Sequence, residues 1–190
     1  MNHISIEGMD GVGKTTICKM LEERLGYKRI EKPLHYLFDE EENGFSNYIR
    51  IRNIVNNNDN RDFTAWFYCL GCLYMYDKFA TQNIITDRHF ASIYAWSGSD
   101  NNQDIFDLII KKIGYPKLTV ILYAQYDTIV NRLQKRDIKD KDIKRAIKSE
   151  EIYARMISFC KEKDFPFIVI DTTNLTEEEI VDIIIKKIEE

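Results

Sequence analysis

The residues with the clearest chemical pattern lie near the N-terminus, where residues 8–15 read Gly-Met-Asp-Gly-Val-Gly-Lys-Thr. This is the spacing of a phosphate-binding loop: a glycine, four residues, then glycine, lysine and serine or threonine. Backbone N–H groups of such a loop, and the N-terminus of the helix that follows, face an anion. Lys14 can reach the outer phosphates, and the Thr15 hydroxyl can bind Mg²⁺. The pattern therefore predicts a site for a nucleoside triphosphate.

The segments on either side of the loop fit this interpretation. Residues 4–6 alternate apolar and polar as in a strand, and apolar residues recur at helical spacing from Ile17 to Leu25. A strand, a glycine-rich turn and a helix are the context in which the motif binds phosphate. The residues predicted to bind the nucleotide are Gly8, Gly11, Val12, Gly13, Lys14, Thr15 and Thr16.

Composition narrows the class of protein. The chain has 190 residues, of which 44% are hydrophobic and 31% charged, so we expect one globular domain covering residues 1–190. The net charge of −4 argues against nucleic acid as a partner, and no apolar run approaches the length of a membrane span. A cytoplasmic protein is the expectation. The four cysteines, which include Cys69-x-x-Cys72, are interpreted as buried thiols rather than as a metal or redox site.

Strands and helices are predicted to alternate along the chain. The predicted strands lie at residues 4–6, 27–31, 82–87, 117–124 and 167–171, and the predicted helices at about 16–25, 45–55, 63–80, 102–113, 126–163 and from 176. Asp62 is the expected N-cap of the long helix, and Thr176 with Glu179 forms a capping box. Residues 34–44 are predicted to be a polar loop. The alternation predicts an α/β protein, a three-layer αβα fold with a central parallel five-stranded sheet.

Polar residues follow the ends of the predicted strands, where ligands bind in open α/β sheets. Asp87, at the end of the third strand, is placed to hold Mg²⁺, with a turn or N-cap aspartate as the alternative. Arg88 can grip a second phosphate, or it can be an internal partner of Asp87 or Glu31. Glu7, at the end of the first strand, is near enough in sequence to touch a substrate. Its alternative role is a structural carboxylate bonded to neighbouring backbone.

Two stretches resemble one family. Residues 7–16, Glu-Gly-Met-Asp-Gly-Val-Gly-Lys-Thr-Thr, resemble the phosphate loop of thymidylate kinases, in which an aspartate occupies the place of Asp10. The later stretch is similar to that family's Asp-Arg-Tyr segment, with matches at Asp87, Arg88, Ser92, Ala95 and Gly98. The resemblance covers most of the chain. It implies a homodimeric P-loop kinase with a lid, which uses ATP and Mg²⁺ to phosphorylate dTMP.

The resemblance also implies roles for single residues. Lys14 and Thr15 would hold ATP phosphates and Mg²⁺, and Asp87 would assist the metal. Asp10 would contact the sugar hydroxyl of the acceptor or position its phosphate, and Arg88 would hold that phosphate. The residues assigned to the acceptor are Glu7, Asp10, Glu31, Trp66, Phe67, Arg88, Ser92 and Trp96, and those assigned to catalysis are Lys14, Asp10, Arg88, Arg136 and Arg145.

A basic segment follows the fourth predicted strand, and residues from about 134 to 147 are the expected lid. A lid that brings an arginine onto the transferring phosphoryl group would have this composition, and so would a solvated helix and loop. Some thymidylate kinases carry an arginine in the phosphate loop, at the position of Gly11. The missing cation is therefore expected from Arg136 or Arg145. Arg132 is the third candidate, at a position where it would pack under the adenine.

The acceptor region departs from the family pattern. Family members stack thymine on a phenylalanine and read it with an arginine from the long helix, but residues 63–71 contain no arginine. Trp66, Phe67 or Tyr68 could stack on a base or pack in the core. Ser97 stands where the family usually has a glutamine.

These departures leave two other functions open. A deoxynucleoside kinase would phosphorylate the sugar hydroxyl of an unphosphorylated nucleoside, with Glu31 as general base. A P-loop protein without catalysis would bind a nucleotide, for example as a switch. A GTPase is not expected, because no Asn-Lys-x-Asp segment follows a strand.

Overall fold

The computed structural model describes residues 1–39, 44–140 and 142–190. Within them, five strands form one sheet: β1 His3–Gly8, β2 Lys28–Glu31, β3 Ile84–Asp87, β4 Leu118–Tyr123 and β5 Phe167–Asp171. The strands run parallel in the order β2-β3-β1-β4-β5. Helices cover both faces of such a sheet, and the central strand β1 is buried along its whole length. The predicted α/β architecture is confirmed.

Ten helices connect and flank the strands in the described part of the chain. They are α1 Lys14–Leu25, α2 His35–Phe38, α3 Ser46–Asn56, α4 Arg61–Lys78, α5 Phe90–Ser97, α6 Gln103–Ile113, α7 Tyr126–Arg136, α8 Ile143–Ala146, α9 Ser149–Glu162 and α10 Glu177–Glu189. A 3₁₀ turn at Asp100–Asn102 precedes α6. The predicted capping box of Thr176 and Glu179 is present at the start of α10.

The long helix α4 begins two residues earlier than expected. Its N-cap is Asn60, whose side-chain oxygen accepts from the N–H groups of Asp62 at 2.9 Å and Phe63 at 3.1 Å. The prediction of Asp62 as N-cap is therefore wrong. Asp62 lies in the first turn, where a carboxylate interacts favourably with the positive end of the helix dipole.

Two short helices also differ from the expectation. The predicted loop at residues 34–44 contains the single turn α2, and residues 40–43 lie outside the described residues. Pro33 precedes this turn, and its fixed φ favours turn geometry. The sequence predicts no helix at the position of α5. Six of its eight side chains are buried, so apolar and polar residues do not alternate with the period of a helix.

The register of the sheet brings the strand ends to one edge. Ile6 and Glu31 both pair with Asp87, and Glu7 pairs with Ile121. The polar residues that follow β1, β2 and β3 therefore lie side by side at the carboxyl edge. In the interior, α5 packs against α9 on one face, and α1 packs against β3 and α10 on the other.

The described structure can also be examined for membrane-spanning helices, for the state of the cysteines and for clusters of metal-binding side chains. None of the described helices has the length and apolar character needed to span a membrane. All four cysteines are buried free thiols, as expected. The described residues include no group of three or more histidine, cysteine, aspartate or glutamate side chains arranged to hold a metal.

Candidate active site

The phosphate loop follows β1 and bends through glycines with positive φ, among them Gly8 at 133° and Gly13 at 94°. At Gly8 space also demands glycine, because a Cβ would lie 2.4 Å from the carbonyl oxygen of Leu122. Gly13 is the N-cap of α1 and has no side chain to bond the first turn. The N–H groups of that turn are therefore available to an anion.

Arg88 lies directly beneath the loop. Its guanidinium donates to the Asp10 carboxylate over 2.7 Å, to the Gly8 carbonyl over 2.9 Å and to the Ser92 hydroxyl over 3.2 Å. Its φ is 78°, a conformation that costs a non-glycine residue about 1–3 kcal/mol unless its surroundings hold it. The internal partner suggested from the sequence, Asp87 or Glu31, is replaced by Asp10.

Lys14 also contacts Asp10, so that Asp10, Lys14 and Arg88 form a cluster of three charged side chains, here called the charge cluster. The Lys14 side chain is 6% exposed, and its Nζ donates to the Met9 carbonyl over 2.7 Å and lies 3.7 Å from Asp10 Oδ1. Burial acts to raise the pKa of Asp10, but the charges of Arg88 and Lys14 outweigh it and hold that pKa well below its ordinary value. Asp10 is therefore an ionised carboxylate between two cations.

Glu7 fastens the start of α5 to the end of β1. It is fully buried, and its carboxylate accepts from the N–H of His89 at 3.0 Å and from the N–H of Ser92 at 3.2 Å, as well as from the Ser92 hydroxyl. Burial raises its pKa, although these hydrogen bonds and the charge of Arg88 oppose the shift. This is the geometry of the structural carboxylate, and direct contact between Glu7 and a substrate is not provided.

Thr15 and Asp87, both predicted to hold Mg²⁺, are brought together. The Thr15 hydroxyl donates to Asp87 Oδ2 over 2.7 Å at the mouth of the loop. A hydroxyl and a carboxylate are oxygen ligands suited to Mg²⁺, which takes one or two protein ligands and completes its shell with phosphates and water. The donor set therefore fits a Mg²⁺ ion that is bound together with a nucleotide.

Two tyrosine hydroxyls interact electrostatically with Arg88: that of Tyr68, which the sequence offered as a residue that could stack on a base, and that of Tyr48, which it did not single out. Burial raises the pKa of the Tyr68 hydroxyl, whereas its hydrogen bond to Asn56 Oδ1 at 2.8 Å and the charges of Arg52, Arg88 and Arg145 act in the opposite direction. Tyr48 is buried next to them, and the Arg52 guanidinium lies over its ring, 5.9 Å from the centroid. Arg52 Nε is buried without a hydrogen-bond partner in the described structure. The spacing of Tyr48 and Arg52, one helical turn apart, was the available sequence signal.

The segment expected to form the lid carries two arginines, each paired with aspartates of the same segment. Arg136 is bound to Asp140 and, over 3.3 Å, to Asp142, while Arg145 reaches Asp142 over 3.3 Å. The Arg145 guanidinium also lies 5.9 Å from the centre of the Trp96 ring, and its charge contributes to the lowered pKa of Asp10. Arg136 and Arg145 both interact electrostatically with Asp10 of the phosphate loop.

Comparison with known proteins agrees with this geometry. A family model described as thymidylate kinase matches residues 6–184. The chain belongs to the thymidylate kinase family. It is 26% identical to a thymidylate kinase of Mycoplasma capricolum subsp. capricolum, covering 98% of this chain and 96% of that protein. It is also 26% identical to a putative adenylate kinase of Methanocaldococcus jannaschii, covering 97% of this chain and 85% of that protein.

Solved structures share the fold of this thymidylate kinase family member. A deoxyadenosine kinase from M. mycoides with bound dATP superposes with a TM-score of 0.62 at 18% identity, covering 99% of this chain and all of that chain, 100%. At that level of identity the likeness concerns the fold alone. Family membership and the site together identify the protein as a nucleotide kinase, a phosphotransferase.

The phosphate loop of this kinase has no room for the arginine that some family members carry there. A Cβ at Gly11 would lie 3.0 Å from Leu133 Cγ and 3.2 Å from the Ile129 carbonyl oxygen, both on α7. The φ of Gly11 is also positive, at 87°. Close packing of α7 on the loop therefore accounts for the glycine, and a further cation has to come from another segment.

Two aromatic residues of α4 differ in their placement. Phe67 lies between Phe38, stacked at 6.3 Å, and Tyr68, edge-on at 5.2 Å. Trp66 is 44% exposed and lies on the opposite face from Tyr68, because residues two apart on a helix point about 200° apart. The assignment of Trp66 to the acceptor stays a prediction.

Two further predicted residues are engaged within the protein. Glu31 is bound to Lys32 and lies 3.5 Å from the Arg29 guanidinium. Arg132 donates to the hydroxyl of Thr172 over 3.0 Å and to its carbonyl over 2.7 Å, which joins α7 to the segment after β5. Packing of Arg132 under an adenine stays a prediction.

Alanine in place of Thr15 tests the metal assignment. We expect turnover with Mg²⁺ and ATP to fall about 10- to 100-fold, because one oxygen ligand is lost, while metal-free ATP binding changes less than threefold. Steady-state kinetics and calorimetry with ATP in EDTA measure the two quantities. Glu23→Ala is the control, since Glu23 is exposed on the same helix. Equal losses in both measurements would contradict a role in metal binding.

Proposed function

We propose that this member of the thymidylate kinase family transfers the terminal phosphoryl group of ATP to a nucleoside monophosphate, with dTMP as the acceptor. The supporting observation is the guanidinium of Arg88 at the phosphate loop, 2.9 Å from the Gly8 carbonyl and 2.7 Å from the Asp10 carboxylate. A guanidinium in this place suits an acceptor that carries a phosphate. Similarity to the thymidylate kinase family also favours a nucleoside monophosphate over an unphosphorylated nucleoside.

The nucleotide donor is assigned to the phosphate loop. The N–H groups at the start of α1 and the ammonium of Lys14 bind the triphosphate, and Thr15 and Asp87 would hold Mg²⁺, which neutralises phosphate charge when bound. Lys14 exchanges its bond to the Met9 carbonyl for a phosphate oxygen. Asp10 keeps Arg88 and Lys14 correctly placed through its contacts with both.

Phosphoryl transfer needs little beyond alignment of donor and acceptor and stabilisation of the charge on the transferred group. In this proposal Arg88 and Arg52 hold the acceptor phosphate. Arg145 supplies the lid cation, because Arg136 is paired with two aspartates, whereas Arg145 lies over the Trp96 ring, 5.9 Å from its centroid. Arg136 is its neighbour in the lid, joined through the shared partner Asp142.

A substrate panel tests the proposal. ADP release is measured with ATP and Mg²⁺ in the presence of dTMP, dUMP, the other monophosphates and the free deoxynucleosides. Turnover with dTMP at a kcat/KM at least tenfold above every other acceptor is expected. Turnover confined to nucleosides would contradict it, and binding of ATP with no transfer to any acceptor would favour a protein without catalysis.

A deoxynucleoside kinase is the second candidate, favoured by the position of Glu31. This carboxylate ends β2 in register with Asp87 and bears electrostatically on the Tyr48 hydroxyl, so it faces the acceptor space. A general base for a sugar hydroxyl would sit in such a place. Its pairing with Lys32 and Arg29 argues for a structural role in the first proposal.

Glu31→Gln separates the two candidates. We expect less than a threefold drop in kcat with dTMP, because phosphoryl transfer to a phosphate oxygen needs no base. A drop of about 100-fold or more is the general-base outcome. Glu178→Gln, on the exposed side of α10, is the control. The measurement is kcat on the best acceptor from the panel.

We propose further that the kinase forms a homodimer through α4. Phe63, Trp66 and Leu70 are 45%, 44% and 45% exposed and follow one another at helical spacing, which makes an apolar stripe on the outer face. A second copy would cover this stripe, as the family resemblance implies. The cytoplasmic location expected from the sequence stays a prediction.

Trp66→Glu is expected to shift the assembly from dimer to monomer at micromolar concentration, because a carboxylate would be buried in the middle of the interface. Analytical ultracentrifugation measures the mass. Ile183→Glu, at an exposed site on α10, should leave the dimer intact. A monomeric wild-type protein at the same concentration would rule the dimer out.

A further inference from the structure

We propose that Trp96 is a positioning residue for the lid, whose ring holds the guanidinium of Arg145 in place. This inference rests on the proposed function, since it concerns how the lid cation is placed for phosphoryl transfer. The sequence assigned Trp96 to the acceptor itself. The ring instead receives the lid arginine, with 5.9 Å between the Arg145 Cζ atom and the ring centroid.

The helix that carries Trp96 is held at both ends. At its start, the buried carboxylate of Glu7 binds the N–H and hydroxyl of Ser92. At its end, Arg155 of α9 donates at 2.8, 3.1 and 2.6 Å to the carbonyls of Ala95, Tyr94 and Gly98. Arg61 of α4 adds a bond to the Gly98 carbonyl over 3.1 Å. These hydrogen bonds fix the backbone that carries Trp96, whose side chain is 37% exposed.

Arg145 comes from a much less constrained element. Helix α8 is a single turn, and Ala146 is its buried residue. The Arg145 side chain is 57% exposed, and its ion-pair partner Asp142 belongs to the same short segment. A long side chain in this setting samples many rotamers, and a partner within its own segment does not fix it relative to the phosphate loop.

Contact with the Trp96 ring fixes the position of the Arg145 guanidinium relative to the rest of the protein. A guanidinium over an indole face is attracted by the ring quadrupole, and tryptophan is the strongest partner of this kind. The contact places the positive charge where it acts on Asp10, the carboxylate that binds Lys14 and Arg88. Trp96 thereby connects the lid with the charge cluster of the candidate active site without itself touching the reacting groups.

Kinetics of Trp96 variants test this role. Trp96→Leu is expected to lower kcat about 5- to 10-fold, the range of one cation–π contact, with KM for either substrate changed less than twofold. Trp96→Tyr retains an aromatic face and should recover most of the rate. In the Arg145→Gln background, Trp96→Leu should have no further effect on kcat. An unchanged kcat in Trp96→Leu, or effects of the two substitutions that multiply, would overturn the proposal.

Fluorescence tests the contact without depending on turnover. Because the chain has two tryptophans, Trp66→Phe leaves Trp96 as the reporter. In that protein, Arg145→Gln should shift the emission maximum and increase quenching by acrylamide, whereas Lys135→Gln on α7 should not. No difference between the two would overturn the contact. If the fluorescence result holds but wild-type protein transfers no phosphoryl group, the proposed function fails and the placement of Arg145 by Trp96 stands.

Discussion

Alanine in place of Arg88 is expected to lower kcat/KM for a monophosphate acceptor by about 100- to 1,000-fold, the loss seen when one preorganised donor is removed from an active site. The side chain is the central cation of the candidate site, tied to Asp10 at 2.7 Å and to the Gly8 carbonyl at 2.9 Å. Its removal takes away the proposed phosphate contact. It also leaves the Asp10 carboxylate with the more distant Lys14 ammonium, at 3.7 Å, as its salt-bridge partner.

The experiment is a steady-state titration of the acceptor at saturating ATP. Arg88→Lys should recover part of the rate at most, because an ammonium keeps the charge but cannot make the parallel bonds of the guanidinium fork. Arg24→Ala is the control: it breaks an exposed ion pair with Asp182 and should change kcat/KM less than twofold. Thermal melting of each variant checks folding. A folded Arg88→Ala enzyme with more than a tenth of wild-type kcat/KM would contradict the assignment.

Lys14→Ala is expected to lower kcat by about 1,000-fold, since the loop lysine stabilises charge on the transferred phosphoryl group. The ammonium is nearly enclosed, at 6% exposure, and its Nζ is already aimed along the loop at the Met9 carbonyl and Asp10. It needs to move little to reach a phosphate. ATP affinity should fall less than kcat, because the backbone N–H groups of the loop remain.

Single-turnover measurements with enzyme in excess separate binding from chemistry for this variant. Lys19→Ala is the matched control, an exposed lysine on the same helix, and it should behave as wild type. Lys14→Arg should also be impaired, since the buried site is fitted to a compact ammonium. A single-turnover rate within tenfold of wild type for Lys14→Ala would show that charge on the phosphoryl group is stabilised by other residues.

The phosphate loop and the sheet were predictable because their signals are local. Glycine at positions 8 and 13 follows from backbone conformations that other residues resist. The apolar runs of β4 and β5 are typical of buried parallel strands, and Thr176 with Glu179 caps α10 through a three-residue contact. Errors occurred where alternatives compete within a few residues, as at Asn60 and Asp62.

Helical residues near the acceptor were harder to assign, because a sequence does not say which face of a helix meets the site. Trp66, Phe67 and Tyr68 are adjacent and chemically alike, yet one faces outward and the others face the interior. Arg52 lies on a helix that could be predicted from the sequence, but its electrostatic interaction with Tyr68 depends on how α3 packs against α4. No local pattern encodes that packing.

The sequence by itself determined the fold class, the phosphate loop with Lys14 and Thr15, and the position of the adjacent residues Asp87 and Arg88 at the end of β3. Each of these depends on residue type at fixed short spacing. The tertiary structure decided that Arg88 binds Asp10, that the buried Glu7 carboxylate binds the start of α5, and that the Arg145 guanidinium lies over the Trp96 ring. These contacts join residues far apart in the chain. The register of the sheet and the packing of the helices bring these residues together. Both depend on burial and charge interactions throughout the fold, which no short stretch of sequence specifies.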